Sequence, residues 1–490
     1  MFQFPVPVTD WSLILPFVMV VLTGISALVL EIVAPKRDNS LIVMLSVFGL
    51  FLTAGLVGVQ FVAPATTSFG GMLLRDPLSL ASQITLVVVG ILVILFSEPY
   101  LREKRIPFGE FYPLLLWSIS GAMLMVSTSN LLLIFVGLEI LSISLYVMAG
   151  ISRSEEKSEE SAMKYFLLGA FASAFLLYGI ALLYGASGSL DLSAIGAAWA
   201  GGKADVRTLV VFSLALLLIG LGFKSSFFPF HQWTPDVYQG APTNVGAYMA
   251  TGSKIAAFVV MFRLLGYASD LKAYWLPVLS VIAGLTMLYG NLVALRQTDV
   301  KRILGYSSIG HAGYILVAIL AHGVAPSQVG PNTLIYYMLA YSVSTVGAFA
   351  VIALAARDGE ETTSVENLNG LFRRSPAAAA SLVIFMASLM GIPLTGGFLG
   401  KALIFGDAMQ AGLMPLAIIL AVSSIISVSF YLRIAYAAVV PNDEQAITRL
   451  APVRPALQSA FLLCAAAVFG TFVFFGPLIT ALGDKVAGVR

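Results

Sequence analysis

Fourteen apolar runs, nearly all of twenty residues or more, constrain this chain more than any other feature. They lie near 11–33, 40–63, 77–98, 108–127, 129–151, 160–185, 207–240, 243–266, 273–295, 302–323, 331–356, 376–411, 413–438 and 453–482. A helix of about 20 apolar residues spans the roughly 30 Å hydrocarbon core of a bilayer, and there the backbone must satisfy its own hydrogen bonds. The chain is 490 residues long, 59% hydrophobic and 11% charged. A soluble domain carries about 25% charged residues. The expected fold is therefore an all-α polytopic membrane protein with about 14 transmembrane helices. The stretch 64–76 (PATTSFGGMLLRD) is too polar to span and reads as a loop or interfacial turn, and RSEEKSEES (153–161) reads as a solvated loop.

Two runs, 207–240 and 376–411, exceed a single span, and each holds a proline in its middle, Pro229 and Pro393. Proline removes a backbone donor and clashes with the preceding turn, so both are expected to be broken helices. Freed carbonyls survive at membrane depth only where they face protein or water. The glycines of GIPLTGGFLGK (391–401) fit an unwound stretch around Lys401, its side chain free to meet water. The breaks fall in segments 7 and 12, five apart. Because five is odd, a duplicated second copy would lie upside down in the membrane, with Lys401 the counterpart of Lys224. The domain reading is 1–107 for helices 1–3, 108–270 for a first five-helix repeat, 271–440 for an inverted second, and 441–490 for helix 14.

Lysine and arginine counts orient the chain. Of the 27, sixteen fall in loops after odd-numbered segments and six in the remaining loops and the C-terminal tail; five lie inside segments. The bias puts odd loops in the cytoplasm and both termini outside. Met1–Asp10 has no basic n-region, so no cleavable leader is expected. The single cysteine, Cys464, excludes an internal disulfide and an iron–sulfur cluster. Three histidines and the lack of GxGxxG give no haem or nucleotide site; a net charge of +2 argues neither for nor against nucleic acid, and no basic cluster has the form of a binding arm.

The intramembrane charges are the candidate functional groups. Glu139 and Lys254 lie at the centres of their segments; Lys224 and Lys401 flank Pro229 and Pro393; Lys164 is four residues after Glu160 on one helical face. Each charge at a helix centre costs roughly 2.5–3.5 kcal/mol on insertion scales. Leucine would pack as well, and the excess of lysine over acid argues against static ion pairs. Burial makes the charge of such an amine responsive to its surroundings, so a row of lysines can hand a proton along through water. His231, between aromatics, reads equally as a relay member or a packing residue, whereas His311 shares a polar stripe with Ser307, Ser308 and Tyr314. His322, at a segment end, reads as interfacial.

Four motifs carry a resemblance: FKSSFFPFHQWTPDVYQGAPTNV (223–245), NLVALRQTDVKRILGYSSIGHAGY (291–314), VGLEILSISLYV (136–147) and GIPLTGGFLGK (391–401). The chain resembles, from about residue 70 to 440, the antiporter-like subunits of proton-pumping NADH:quinone oxidoreductase, respiratory complex I. The PDVYQGAP form and the length most resemble the N type. The resemblance implies fourteen helices in two inverted five-helix repeats, with Glu139, Lys224, Lys254 and Lys401 the relay residues of helices 5, 7, 8 and 12, and Lys164 and His231 on accessory positions. It implies no cofactor on this chain, with flavin and iron–sulfur clusters in partner subunits. The partners implied are an M-type antiporter-like subunit, small K- and J-type subunits and the lateral helix of an L-type subunit, in a bacterial cytoplasmic (inner) membrane. Two other readings stand beside it: a subunit of a multi-chain sodium/proton antiporter, and a passive membrane scaffold, which the central lysines disfavour.

Overall fold

A computed structural model describes residues 9–33, 39–106, 109–357, 360–440 and 453–479. Among them, twelve stretches are long and apolar enough to cross a membrane, and Phe111–Val126 and Pro376–Met390 are shorter apolar helices. Each of the fourteen expected segments is thus matched by a helix.

The first six segments are α1 (Leu15–Val33), α2 (Ser40–Gln60), α3 (Pro77–Glu103), α4 (Phe111–Val126), α5 (Leu131–Ala149) and α6 (Glu156–Ser187). A short helix, α7 (Ala194–Gly201), precedes segment 7, which is split into α8 (Ala204–Ser225) and α9 (Trp233–Gly240). Segment 8 is split into α10 (Thr243–Ala250) and α11 (Gly252–Tyr267). Segments 9–11 are α12 (Lys272–Ala294), α13 (Val300–Val324) and α14 (Asn332–Ile352). After the single turn α15 (Leu371–Arg374), segment 12 is split into α16 (Pro376–Met390) and α17 (Gly396–Gln410), followed by α18 (Met414–Val439) and α19 (Pro455–Val473).

Three expectations are corrected. The stretch 64–76 holds an antiparallel hairpin, β1 (Thr66–Ser68) paired with β2 (Leu73–Arg75). Most of RSEEKSEES is helical, because α6 starts at Glu156 and Ser158 Oγ donates to the Ala149 carbonyl, docking this first turn on the end of α5. Segment 8 carries a break that no proline announces, at Thr251 (φ −120°, ψ −79°). The expectations for the chain termini, and the proposed domain edges at 107/108 and 440/441, involve residues outside those described.

Burial sorts the helices. The most apolar stretches of segment 8 and α13 are wholly buried and that of α14 almost so, whereas two-thirds of the corresponding stretch of α2 and of α6 is not buried by the rest of the chain. A helix apolar on every side belongs inside a bundle. The polar residues of segment 8 and α13 therefore face protein, not lipid. Around this column α5 packs closely on α4: a Cβ on Gly137 would come within 2.8 Å of the Gly121 carbonyl, so both glycines let the backbones touch. That crossing fixes the helix that carries Glu139.

Candidate functional site

Each break leaves backbone groups without helical partners, and local chemistry satisfies them. At the end of α8, Ser226 is left-handed (φ 62°), and the Ser226 and Phe227 amides cap the Phe223 and Gly222 carbonyls. The Trp233 indole donates back across the gap to the Phe223 carbonyl at 3.0 Å. At the end of α16, Gly391 (φ 87°) plays the same part, a conformation that suits glycine, and its amide caps the Ala387 and Ser388 carbonyls.

Lys224 lies in the last turn of α8 and is 2% exposed. Its Nζ donates to Ser142 Oγ and to the Tyr165 hydroxyl, each at 2.9 Å. Tyr165 is held by stacking on Trp233, ring centroids 4.5 Å apart. Glu139, half-buried on α5, accepts from Ser173 Oγ at 2.6 Å. Glu139 and Lys224 make no ion pair. Ser142, which Lys224 holds, is one turn beyond Glu139, and a narrow cleft is lined by Lys224, Ser142, Tyr146 and Ser173, the last of these the partner of Glu139.

Lys254, 1% exposed, is three residues past the Thr251 break. Its Nζ donates to Ser308 on α13, to Oγ at 3.0 Å and to the carbonyl at 3.1 Å. From the neighbouring Ser307 a chain of side chains continues. Ser307 Oγ hydrogen-bonds the Tyr431 hydroxyl, which lies 3.0 Å from His311 Nε2, and His311 Nδ1 lies 2.6 Å from the Tyr337 hydroxyl. Beyond it, the His311 ring packs edge-on against Tyr314, 5.4 Å between centroids, and Lys401 Nζ sits 5.1 Å over that Tyr314 ring.

Lys401 differs from expectation. It is 7% exposed and lies within the regular helix α17, not in an unwound stretch. Its Nζ reaches back to the Leu389 and Met390 carbonyls, both at 2.9 Å, where the end of α16 leaves acceptors free. Nor is it the positional counterpart of Lys224. Lys224 comes one residue before the end of its half-helix; the matching residue of α16 is Leu389, whose carbonyl the Lys401 ammonium occupies. The two lysines serve the two breaks from opposite sides.

The accessory positions stand apart from this row. Lys164, 42% exposed, bridges Glu160 at 2.6 Å and Asp236 at 2.8 Å. His231 is buried between Phe228 and Tyr289, its Nδ1 without a partner. His322 stacks on Phe262 at 3.7 Å and bonds the Val329 carbonyl at 2.7 Å, a packing role. Sequence reasoning missed Ser142, Tyr165, Tyr337 and Tyr431. The available signal was the count of tyrosines and serines at the depth of the lysines, which apolar surroundings disguise as core. Among the described residues, no group of three or more His, Cys, Asp or Glu side chains is placed to hold a metal ion.

Comparison with known proteins places this geometry. Residues 128–427 match the family described as NADH:quinone oxidoreductase/Mrp antiporter, TM. The chain is 42% identical over 433 residues to a protein named NADH-quinone oxidoreductase subunit N from Chloroflexus aggregans, covering 88% of each chain. Its fold superimposes on a chain of respiratory complex I from Thermus thermophilus, a structure with bound aureothin, at TM-score 0.81 and 33% identity, covering 96% of this chain and all of that one. A chain of the Mrp complex from Dietzia sp. shares the fold at TM-score 0.85 and 20% identity, covering 98% of both.

Proposed function

Since this chain belongs to the NADH:quinone oxidoreductase/Mrp antiporter membrane family, we propose that its buried row of side chains carries protons through the membrane arm of an NADH:quinone oxidoreductase. The chain is an N-type membrane-arm subunit of such a complex and works with other subunits of it. Three features of Lys224, Lys254 and Lys401 together carry the reading. They are almost wholly buried, their ammonium groups donate to hydroxyls and carbonyls, and among the described residues none has a carboxylate within ion-pair distance. A buried lysine retained for stability needs a compensating anion, and one without it is retained for what its charge does.

The order of events follows the contacts. Lys224 exchanges protons with hydroxyls already touching it, Ser142 and Tyr165. The buried hydroxyls of Ser225, Tyr238 and Tyr248 lack hydrogen-bond partners among the described residues, and polar groups of this kind bind water, which carries the proton on from Lys224 toward Lys254. From Lys254 the path runs along α13 through Ser308, Ser307, Tyr431, His311 and Tyr337 to the Tyr314–Lys401 end. His311 bonds a hydroxyl on each side, so it can accept a proton on one nitrogen and give one from the other. Glu139 ends the row at the α5–α6 face, where a change in its charge acts on Lys224 through a low-dielectric interior. The redox centres, flavin and iron–sulfur, sit in partner subunits. M-, K- and J-type subunits and an L-type lateral helix are the neighbours. The two five-helix units lie inverted in a bacterial inner membrane with odd loops in the cytoplasm.

Lys224→Met tests the reading, because it keeps the side-chain length and removes the titrating amine. The assembled complex carrying it is expected to lose most proton uptake into inverted vesicles while its flavin and iron–sulfur spectra persist. Normal uptake by fully assembled complex would make the lysine a scaffold element.

A further inference from the structure

Helix α8 also borders a second feature that the relay does not use. An open groove runs along α8 and α12, walled by Val211, Leu214, Leu218, Trp275, Val278 and Ile282 and floored at its inner end by Gly222, Phe227 and Phe230. The eleven steps from Val211 to Gly222 span about 16 Å at 1.5 Å per residue. One leaflet of a roughly 30 Å hydrocarbon core is about 15 Å deep. The groove therefore has the depth of one leaflet, and its floor lies at the level of the α8 break.

Its outer end has the marks of a headgroup level. Trp199 and Tyr274 pack edge to face there, centroids 5.3 Å apart, and the Arg207 guanidinium lies 5.2 Å from the Trp199 ring. Paired aromatics of this kind sit at the membrane–water boundary. Arg207 is one turn outside Val211, Lys203 immediately precedes α8 and Lys272 opens α12, all three exposed. Asp205 and Asp270 are also at this rim, leaving one net positive charge among the five. Only six of the 27 lysines and arginines fall in the even loops and the C-terminal tail, and three of those six gather here. A cation cluster on the cation-poor side, one turn above a leaflet-deep apolar groove, matches an amphiphile with a phosphate above an acyl chain.

We propose that this groove is a phospholipid site, one acyl chain lying between α8 and α12 with its end against Phe227 and Phe230, and the phosphate resting on Arg207 and Lys272. The inference does not rest on the proton reading. The bound chain covers the apolar side of the broken segment, where helix α8 has ended and neighbouring side chains alone shield the backbone.

The test uses the complete complex in nanodiscs containing phosphatidylglycerol with a diazirine at the end of one acyl chain, followed by peptide mapping of the photoadducts. Adducts are expected to concentrate at the inner end of the groove, about tenfold over the lipid-facing surface of α18. Ala215→Phe, at a groove-lining position already open to the lipid side, is expected to remove that excess while leaving α18 labelling unchanged. Arg207→Gln with Lys272→Gln should lower it by about fivefold per cation, the scale of one surface cation acting on an anionic lipid. Labelling equal to that of α18 would mean bulk lipid only. Absent labelling would mean that a partner helix fills the groove. Excess labelling that survives both sets of variants would place the lipid elsewhere. Each of these overturns the proposal.

Discussion

Lys254 separates two explanations of the buried row at the scale of one residue. As a fixed positive charge it needs only to be cationic; as a relay member it must also let its proton go. Arginine keeps the charge and stays protonated at any working pH. Lys254→Arg is therefore expected to cut proton uptake at least tenfold, on the scale of losing one acid–base group. Ser308 Oγ and the Ser308 carbonyl remain available to the guanidinium, so the complex should still assemble. Full transport by the arginine variant would reduce the site to electrostatics. Glu139 obeys a related logic. Its described hydrogen bond is from Ser173 and it makes no ion pair with Lys224, so on the proposed reading it acts on Lys224 through charge and not through contact.

Broken helices are the element-scale device. Each break ends a half-helix inside the protein and leaves carbonyl dipoles pointing at buried space, and an ammonium is the cheapest partner for them. Lys401 shows this directly, clamping the last carbonyls of α16 from the second turn of α17. The clamp depends on how closely the two halves approach. A Cβ on Gly397 would lie 1.9 Å from the Ser388 carbonyl oxygen, a backbone atom that cannot rotate away. Gly397→Ala is therefore expected to push α16 and α17 apart at a cost of roughly 1–3 kcal/mol. Melting of the purified complex should fall and uptake with it, whereas the same change at Gly406, which meets nothing within 4 Å, should leave both intact.

At the scale of the whole molecule, a buried ion cluster ties distant segments together away from the relay. Glu361, on a short strand (Glu360–Glu361) between segments 11 and 12, pairs with Lys301 at 3.3 Å and Lys104 at 4.0 Å, accepts from the Tyr100 hydroxyl at 3.0 Å and is bonded by Thr243 Oγ1. Burial alone would raise its pKa; Lys301 and Lys104 outweigh that and hold it below the ordinary 4.5. A carboxylate whose pKa is lowered by folding stabilises the fold above its unfolded value, and the stabilisation fades as pH falls through the folded value. The cluster should therefore hold steady from pH 7 to about 5 and weaken below about 4.5. Glu361→Gln leaves Lys301 buried without its anion, expected to cost roughly 3–5 kcal/mol at pH 7. Melting curves between pH 7 and 4 should show the variant below wild type at neutrality and converging with it in acid. Parallel curves with a constant gap would mean that the carboxylate charge contributes nothing.

The number of spans, the two proline breaks and the buried lysines Lys224, Lys254 and Lys401 were legible in the sequence. Hydropathy is additive over a segment, and a charge in a twenty-residue apolar run has nowhere cheap to go whatever surrounds it. The break at Thr251 was not legible, because no proline marks it and the surrounding helices impose it. The conformation at Lys401 was misread for the converse reason: its glycines serve close approach of two half-helices, and the chain after Thr395 is regular helix. Nor could the sequence show that Ser142, Tyr165, Tyr337 and Tyr431 join the lysines, since each partner lies on another segment and only packing decides which hydroxyl faces which amine. Residue chemistry determined which charges lie at membrane depth; the bundle determined which groups they meet, because hydrogen bonds of about 3 Å between helices depend on crossing geometry that no single segment encodes.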